Sequence, residues 1–113
     1  MDAITFESRG PVGIFHLGGS ISAYDSQELR VALFRGINDN RVSRVVFDFT
    51  DVRSIDSSGV AVFLNLQFSF GADTHMRFCS VPSQVRDVLD VTNLIQHFNV
   101  DAGLEDSIAA LNE

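Results

Sequence analysis

Two serines beside an aspartate form the segment of this sequence best suited to chemistry at a hydroxyl. Asp56, Ser57 and Ser58 are residue types that cap the amino end of a helix, and Gly59 follows them. The first backbone N–H groups of a helix have no partner within it, so this corner favours negative charge. Because Gly59 has no Cβ atom, we expect the first turn to stay open on one side to a partner.

The two serines allow two interpretations. In the simpler one, Ser57 and Ser58 only cap the helix, and Asp56 adds a favourable charge at its start. In the other, one serine is phosphorylated and gains roughly −1.5 to −2 charges and three strong acceptors. Such a group, pressed beside Asp56 against an apolar partner, loses hydration without obtaining a counter-charge. A penalty of about 4 kcal/mol would weaken binding roughly a thousandfold.

The other reactive side chains lack the spacing that catalysis or metal binding needs. His16, His75 and His97 are isolated in the sequence, so we expect no metal site and no cofactor. No G-x-S-x-G motif surrounds either serine, and a chain without lysine has no P-loop. A serine hydrolase, a third hypothesis, needs an oriented base that no nearby histidine supplies. We therefore expect no enzyme, and we expect Cys79, within an apolar stretch, to be buried.

Length and charge limit the class of protein. A chain of 113 residues suits one domain spanning residues 1–113, and a composition that is 45% hydrophobic supports a packed core. Eight arginines and no lysine oppose fifteen acidic residues, for a net charge of −7, which argues against nucleic acid and favours a basic protein partner. Residues 1–10 do not resemble a signal peptide, and no apolar run is long enough to insert into a membrane. We expect a cytoplasmic protein.

The segments that flank the serines are the most apolar in the chain. Residues 45–49 form an almost unbroken apolar run, which predicts a central strand covered on both faces. The residues from Ser57 to Phe70 predict a helix that Gly71 ends, with apolar side chains around much of its circumference. Because this exceeds what one core face needs, Phe63 and Phe70 are candidates for docking another protein.

The rest of the chain alternates between helices and strands. Residues 4–6 and 12–17 predict two antiparallel strands, and a helix begins after a start signal from Ser22 with Asp25 or from Asp25 with Glu28. The order predicts an α/β fold, with a mixed, mostly parallel sheet of four or five strands and about four helices. The later elements are a strand at residues 75–81, a helix after Pro82, a short edge strand at residues 96–100 and a final helix at Leu104–Leu111.

A longer segment around the serines resembles a known family. Residues 46–61, VFDFTDVRSIDSSGVA, resemble the signature of STAS domains, and most closely that of the anti-sigma factor antagonists. In that family a hydrophobic strand leads into Asp-Ser-Ser-Gly, and a partner kinase, itself the anti-sigma factor, phosphorylates the first serine. The resemblance implies a single-domain STAS-like fold and assigns phosphorylation to Ser57. Weaker matches follow in order at residues 17–19, LGG, and 89–94, LDVTNL.

The resemblance implies a partner-switching regulatory protein. The unmodified surface binds the anti-sigma factor and serine kinase, phosphorylation of Ser57 releases it, and a separate metal-dependent serine phosphatase restores binding. The family often has an acidic residue after the early glycines, where this chain has Ser20 and Ser22, and Asp25 is the candidate to replace it. Other STAS proteins lack a usable serine, so the alternative is a structural subunit of a lipid or anion transporter complex. The partner-binding candidates are Asp56, Ser57, Ser58, Gly59, Val60, Ser22 and Asp25.

Overall fold

A five-stranded mixed sheet with four α-helices makes up the computed structural model, which describes residues 1–93 and 95–112. This confirms the predicted α/β fold class. The strands lie side by side in chain order. They are β1 (Thr5–Arg9), β2 (Val12–Ile21), β3 (Arg44–Ile55), β4 (His75–Cys79) and β5 (Val100–Asp101), and the helices are α1 (Ser26–Asn40), α2 (Ser57–Phe70), α3 (Ser83–Val91) and α4 (Leu104–Leu111).

The predicted central strand is β3, the middle strand of the sheet. β1 and β2 form the antiparallel hairpin expected from the sequence, and β2, β3, β4 and β5 run parallel. Residues 45–49 are all buried, because helices cover both faces of the sheet there. A strand buried on both faces needs the nearly continuous apolar run that this segment has.

The apolar side chains form one core on each face of the sheet. The larger core lies under α1, α2 and α3 and contains contacting phenylalanine rings, with Phe47 next to Phe63 and Phe78 at centroid distances of 5.2 Å. The smaller core lies under α4 and includes Val46 and Cys79. Cys79 is buried as predicted, and burial, reinforced by the charge of Asp48, raises the pKa of its thiol to about 11. The thiol is therefore neutral and plays a packing role.

The last strand differs from its prediction. Residues 96–100 were expected to form an edge strand, but Ile95–His97 is a short 3₁₀ turn and β5 is only Val100–Asp101. The chain is still in this turn at residue 97, so it reaches the sheet late and pairs with β4 only from Val100. Phe98, between the turn and the strand, is buried with its ring 4.7 Å from that of Phe78.

The end of β4 and the start of the first helix also differ from the sequence prediction, each for a local reason. The strand expected at residues 75–81 ends at Cys79, because Ser80 adopts a positive φ of 55° that extended strands do not have. Of the two start signals proposed for the first helix, the structure contains the hydrogen bonds of the pair Ser22 and Asp25. It opens a 3₁₀ turn at Ala23–Asp25 that leads directly into α1. The weaker family match at residues 89–94 ends on Leu94, outside the described residues.

His16 joins three strands on the face of the sheet that α4 partly covers. Its Nδ1 lies 2.7 Å from Asp48 Oδ2 on β3, and its Nε2 lies 2.7 Å from Glu7 Oε1 on β1. Burial alone would lower the pKa of His16, but the hydrogen bonds and charges of Glu7 and Asp48 outweigh it and raise the pKa above its ordinary value. Burial of Asp48 is likewise outweighed, by bonds from Thr50 and His16, and its pKa is lowered. The imidazolium therefore holds the edge strand β1 to the centre of the sheet.

The substitution His16→Gln should remove a pH-dependent part of the stability. A raised folded-state pKa means that the contribution of His16 is complete below its unfolded pKa of about 6.5 and is lost as the pH rises through the raised value. The lowered pKa of Asp48 means that its contribution is lost below about pH 4. We expect the difference in unfolding free energy between the wild type and the variant to be about 1 kcal/mol near pH 5.5 and to shrink towards pH 9.

Urea unfolding at a series of pH values measures this difference. His75 and His97 are present in both proteins, so the comparison isolates the effect of the substitution at residue 16. A difference that stayed constant from pH 5 to pH 9 would contradict a charged His16 in the folded state.

Candidate functional site

The corner predicted from the sequence lies where β2 and β3 end and two helical segments begin. Ile21 and Ile55, the last residues of these parallel strands, are paired. Beyond them the chain enters the 3₁₀ turn at Ala23–Asp25 on one side and α2 on the other. The loop that begins at Ser22 and the start of α2 therefore become neighbours, at the carboxyl edge of the parallel strands where α/β proteins commonly place their sites.

Asp56 joins the two segments. Its Oδ1 accepts a hydrogen bond from the backbone N–H of Gly59 (3.1 Å), which makes Asp56 the N-cap of α2. Its Oδ2 accepts a bond from the backbone N–H of Ala23 (2.8 Å) in the other loop. Its own N–H donates to the carbonyl of Ile21 (3.1 Å). One side chain thus fixes both the first turn of α2 and the position of the neighbouring loop.

The serines differ in exposure. Ser57 is the first residue of α2 and is exposed, whereas Ser58 and Asp56 are half-buried. Of the two serines, the one to which the family resemblance assigns phosphorylation is therefore the more accessible to solvent.

Gly59 and Val60 lie beneath the serines and do not face solvent. Both are buried, and Val60 is only 1% exposed. A Cβ atom added to Gly59 would lie 2.7 Å from Ile55 Cγ1 and 3.1 Å from Ile21 Cγ2. The prediction that Gly59 leaves the first turn open to a partner is therefore wrong, because side chains of the protein itself fill the space beside Gly59. The missing Cβ instead lets α2 pack closely on the two strand ends, and this holds Ser57 in place.

Ser22 and Asp25 form the neighbouring turn. The backbone N–H of Ser22 donates to Asp25 Oδ2 (2.9 Å), and the Ser22 hydroxyl donates to the same oxygen (3.2 Å). The backbone bond is the main reason that the pKa of Asp25 lies below its ordinary value, and it outweighs the opposing effect of burial. Between them, the Tyr24 side chain is 99% exposed. Sequence reasoning missed Tyr24, whose only signal is an aromatic residue in a short polar turn.

The apolar residues that α2 presents to solvent are not the predicted ones. Phe63 was a candidate for docking, but it is 1% exposed and lies in the larger core. Phe70 is half-buried, with its ring 5.3 Å from that of Phe34 on α1. The exposed aromatic residue of this helix is Phe68, at 79%. The error arose because an apolar helix gives little periodic signal to show which face is buried.

The described residues contain neither a cluster of metal ligands nor a membrane-spanning helix. Over residues 1–93 and 95–112, no group of three or more His, Cys, Asp or Glu side chains is placed to hold a metal ion. None of the helices in these ranges combines the length and apolar character needed to cross a membrane.

Comparison with known proteins identifies a family model and several similar structures. The model described as STAS domain matches residues 3–107. A search of curated proteins finds no match. Among solved structures, a putative anti-sigma factor antagonist from Thermotoga maritima is 17% identical with a TM-score of 0.89, and the match covers 97% of this chain and 95% of that chain.

Two further solved structures, from a bacterium and from mouse, have a similar fold. SpoIIAA of Bacillus, in its phosphorylated form, is 19% identical with a TM-score of 0.70, and the match covers 96% of this chain and 99% of that one. The murine anion transporter Slc26a9 is 15% identical with a TM-score of 0.75, and the match covers 94% of this chain and 18% of that one. At these identities the likeness shows the fold.

The substitution Asp56→Ala should lower the stability by about 2 kcal/mol, because it removes an N-cap worth about 1 kcal/mol and a second hydrogen bond of similar worth. Chemical denaturation measures the loss, and hydrogen exchange of the Ala23 and Gly59 amides should rise. Asp87→Ala, at an exposed position of α3, is the matched control and should change the stability by less than about 0.5 kcal/mol. Equal effects of both substitutions would argue against the bridging role of Asp56.

Proposed function

The chain belongs to the STAS domain family, and from this premise we propose that it is an anti-sigma factor antagonist that works by partner switching. In the unmodified state it binds an anti-sigma factor that is also a serine kinase, and it thereby releases the other client of that kinase. Phosphorylation of Ser57 reverses the binding. The observation that carries the proposal is the exposed Ser57 hydroxyl at the start of α2, directly after the half-buried Asp56.

The hydrogen bonds around Asp56 explain why a phosphate there would oppose binding. The carboxylate of Asp56 already accepts the backbone N–H groups of Gly59 and Ala23. A phosphate on Ser57 would add roughly −1.5 to −2 charges one residue away from this carboxylate. Solvent can screen the two charges in the free protein. Under a docked partner that screening is lost, so the modified surface binds more weakly.

The residues of the proposed interface have different roles. Ser57 contacts the partner directly, and the half-buried Asp56 and Ser58 flank it. Gly59 and Val60 are buried, so they act by holding Ser57 in position. The adjacent turn contributes Ser22 and Asp25, together with the fully exposed ring of Tyr24. Tyrosine is enriched among the residues that dominate binding energy, so Tyr24 belongs to the proposed contact surface.

In this proposal the chain is a substrate of the kinase and has no catalytic role. The kinase supplies ATP, and a metal-dependent serine phosphatase removes the phosphate, so the chain itself needs no cofactor. The existence of a phosphorylated form of SpoIIAA, a protein of similar fold, supports a modification of this kind. Such a regulator would act on transcription in the cytoplasm.

A second candidate is a structural STAS subunit of a lipid or anion transporter complex. The observation in its favour is the similarity of the fold to part of the anion transporter Slc26a9. This role predicts that the chain co-purifies with a membrane complex and that substitutions of Ser57 leave this association unchanged. The switch predicts the opposite dependence on Ser57.

The variants Ser57→Ala and Ser57→Asp should differ in their affinity for the anti-sigma kinase. Ser57→Ala should bind as tightly as the unmodified wild type, whereas Ser57→Asp should bind at least tenfold more weakly because it places a charge beside Asp56. Full phosphorylation should have a larger effect, of the order of a thousandfold for a penalty of about 4 kcal/mol. Isothermal titration calorimetry with the purified kinase measures each dissociation constant. Equal affinities of the two variants would rule out the switch.

Mass spectrometry after incubation with the kinase and ATP tests the modified residue. The wild type should gain one phosphate on Ser57, and Ser57→Ala should gain none. Ser58→Ala is the matched control and should be modified like the wild type. A phosphate found on Ser58 alone would move the site by one residue.

A further inference from the structure

A cavity of about 480 Å³ opens at the amino end of the parallel strands. It lies where β3 begins at Arg44 and β4 begins at His75, and these two residues are paired in the sheet. The site around Ser57 follows Ile55, the last residue of β3. The length of β3 therefore separates this cavity from the proposed switch.

The side chains that line the cavity are basic or neutral, although the chain as a whole is acidic. Two of the eight arginines and two of the three histidines line it, namely Arg44, His75, Arg77 and His97. Among the described residues, none of the Asp and Glu side chains lines it, although the whole chain has fifteen and a net charge of −7. A concave surface lined by charge of one sign concentrates ions of the opposite sign.

The strand register brings these basic side chains together. Residues two apart in a strand share a face of the sheet, as do paired residues of neighbouring strands. Arg44 pairs with His75, and Val46 pairs with Arg77. The three basic side chains therefore project on the side of Val46, which packs in the smaller core under α4. His97 reaches the same cavity from the 3₁₀ turn before β5.

The two arginines of the cavity differ in their partners. The Nε of Arg77 lies 2.7 Å from Asp101 Oδ2 and its Nη2 lies 3.0 Å from Asp101 Oδ1, so this guanidinium is held in the wall by a counter-charge. Arg44 is half-buried, and within residues 1–93 and 95–112 its guanidinium takes part in no ion pair. A partly desolvated guanidinium without a counter-ion is well suited to bind an external anion.

We propose that this cavity binds a small organic anion with a phosphate or carboxylate group, and that Arg44 supplies the main charge for it. The volume lies within the range of small-molecule sites, about 300 to 1,000 Å³. Guanidinium groups bind both kinds of oxyanion through paired N–H donors. The imidazoles of His75 and His97 and the amides of Gln67 and Asn99 also line the cavity and can donate to the remaining oxygens. This inference does not depend on the proposed function.

Calorimetric titration of the purified protein tests the class of ligand. The probes are glucose 6-phosphate, citrate and, as the uncharged control, glucose. At least one of the two anions should bind and glucose should not, and the stronger anion shows whether phosphate or carboxylate is preferred. If neither anion binds at about 10 mM, the inference is wrong, and the proposed function at Ser57 is unaffected.

The substitution Arg44→Gln should weaken binding of the anion about tenfold or more, because it removes a charged hydrogen-bond donor from the cavity. The matched control is Arg53→Gln, which makes the same change of charge at an exposed position of the same strand, outside the cavity. We expect the control to change the dissociation constant by less than about twofold in about 0.15 M salt. An equal loss in both variants would show attraction by overall charge alone and would contradict a built site.

A second variant guards against a loss of folding. His97 is exposed, so His97→Gln should leave the melting temperature close to that of the wild type while still weakening the binding of the anion. Unchanged affinity in both His97→Gln and a folded Arg44→Gln would overturn the inference.

Nuclear magnetic resonance locates the bound anion. The backbone amide signals of His75 and Asn99 should shift as the anion is added, whereas those of Ser57 and Gly59 should not. Shifts confined to the site around Ser57 would place the anion elsewhere and refute the inference. A glutamate-rich peptide that shifted the His75 and Asn99 signals where neither small anion did would identify the cavity as a protein-docking surface, which also contradicts it.

Discussion

The carboxylate of Asp56 is the interaction on which the arrangement of this site depends. One oxygen caps α2 through Gly59, and the other holds Ala23 of the loop after β2. Because both acceptors belong to one rigid group, the beginning of α2 and the neighbouring turn cannot shift independently. Ser57, Tyr24 and Asp25 therefore project from one connected surface, although they come from two distant parts of the sequence.

The core beneath this surface supplies the rigidity that such an arrangement requires. β3 is buried on both faces along its apolar run, and the rings of Phe47, Phe63 and Phe78 pack against each other under α2. Gly59 allows α2 to approach the ends of β2 and β3 more closely than any residue with a Cβ atom would. A hydroxyl on such a support has a defined position before any partner arrives, which reduces the entropy lost on binding.

The proposed modification at this surface is the addition of negative charge to a serine hydroxyl. Within the described residues the site presents serine hydroxyls, carboxylates and the exposed ring of Tyr24. In the proposed function, phosphorylation of one hydroxyl reverses binding there, because an added charge costs most where water is excluded. None of the residues of α2 is charged, so a phosphate on Ser57 would be the first full charge on this helix.

The sequence by itself determined the α/β class, the central strand, the helix that follows it and the capping role of the segment around Asp56. These features have local signals, such as apolar runs, periodicity and residue types with strong positional preferences. The tertiary structure alone decided which of Ser57 and Ser58 is exposed, that Phe63 is buried while Phe68 is not, and that Asp56 reaches Ala23. It also decided that a 3₁₀ turn at Ile95–His97 takes the place of the start of the expected edge strand. The reason is that exposure and long-range bonds depend on how elements far apart in the chain pack together, and a helix that is apolar on nearly all sides does not reveal its buried face.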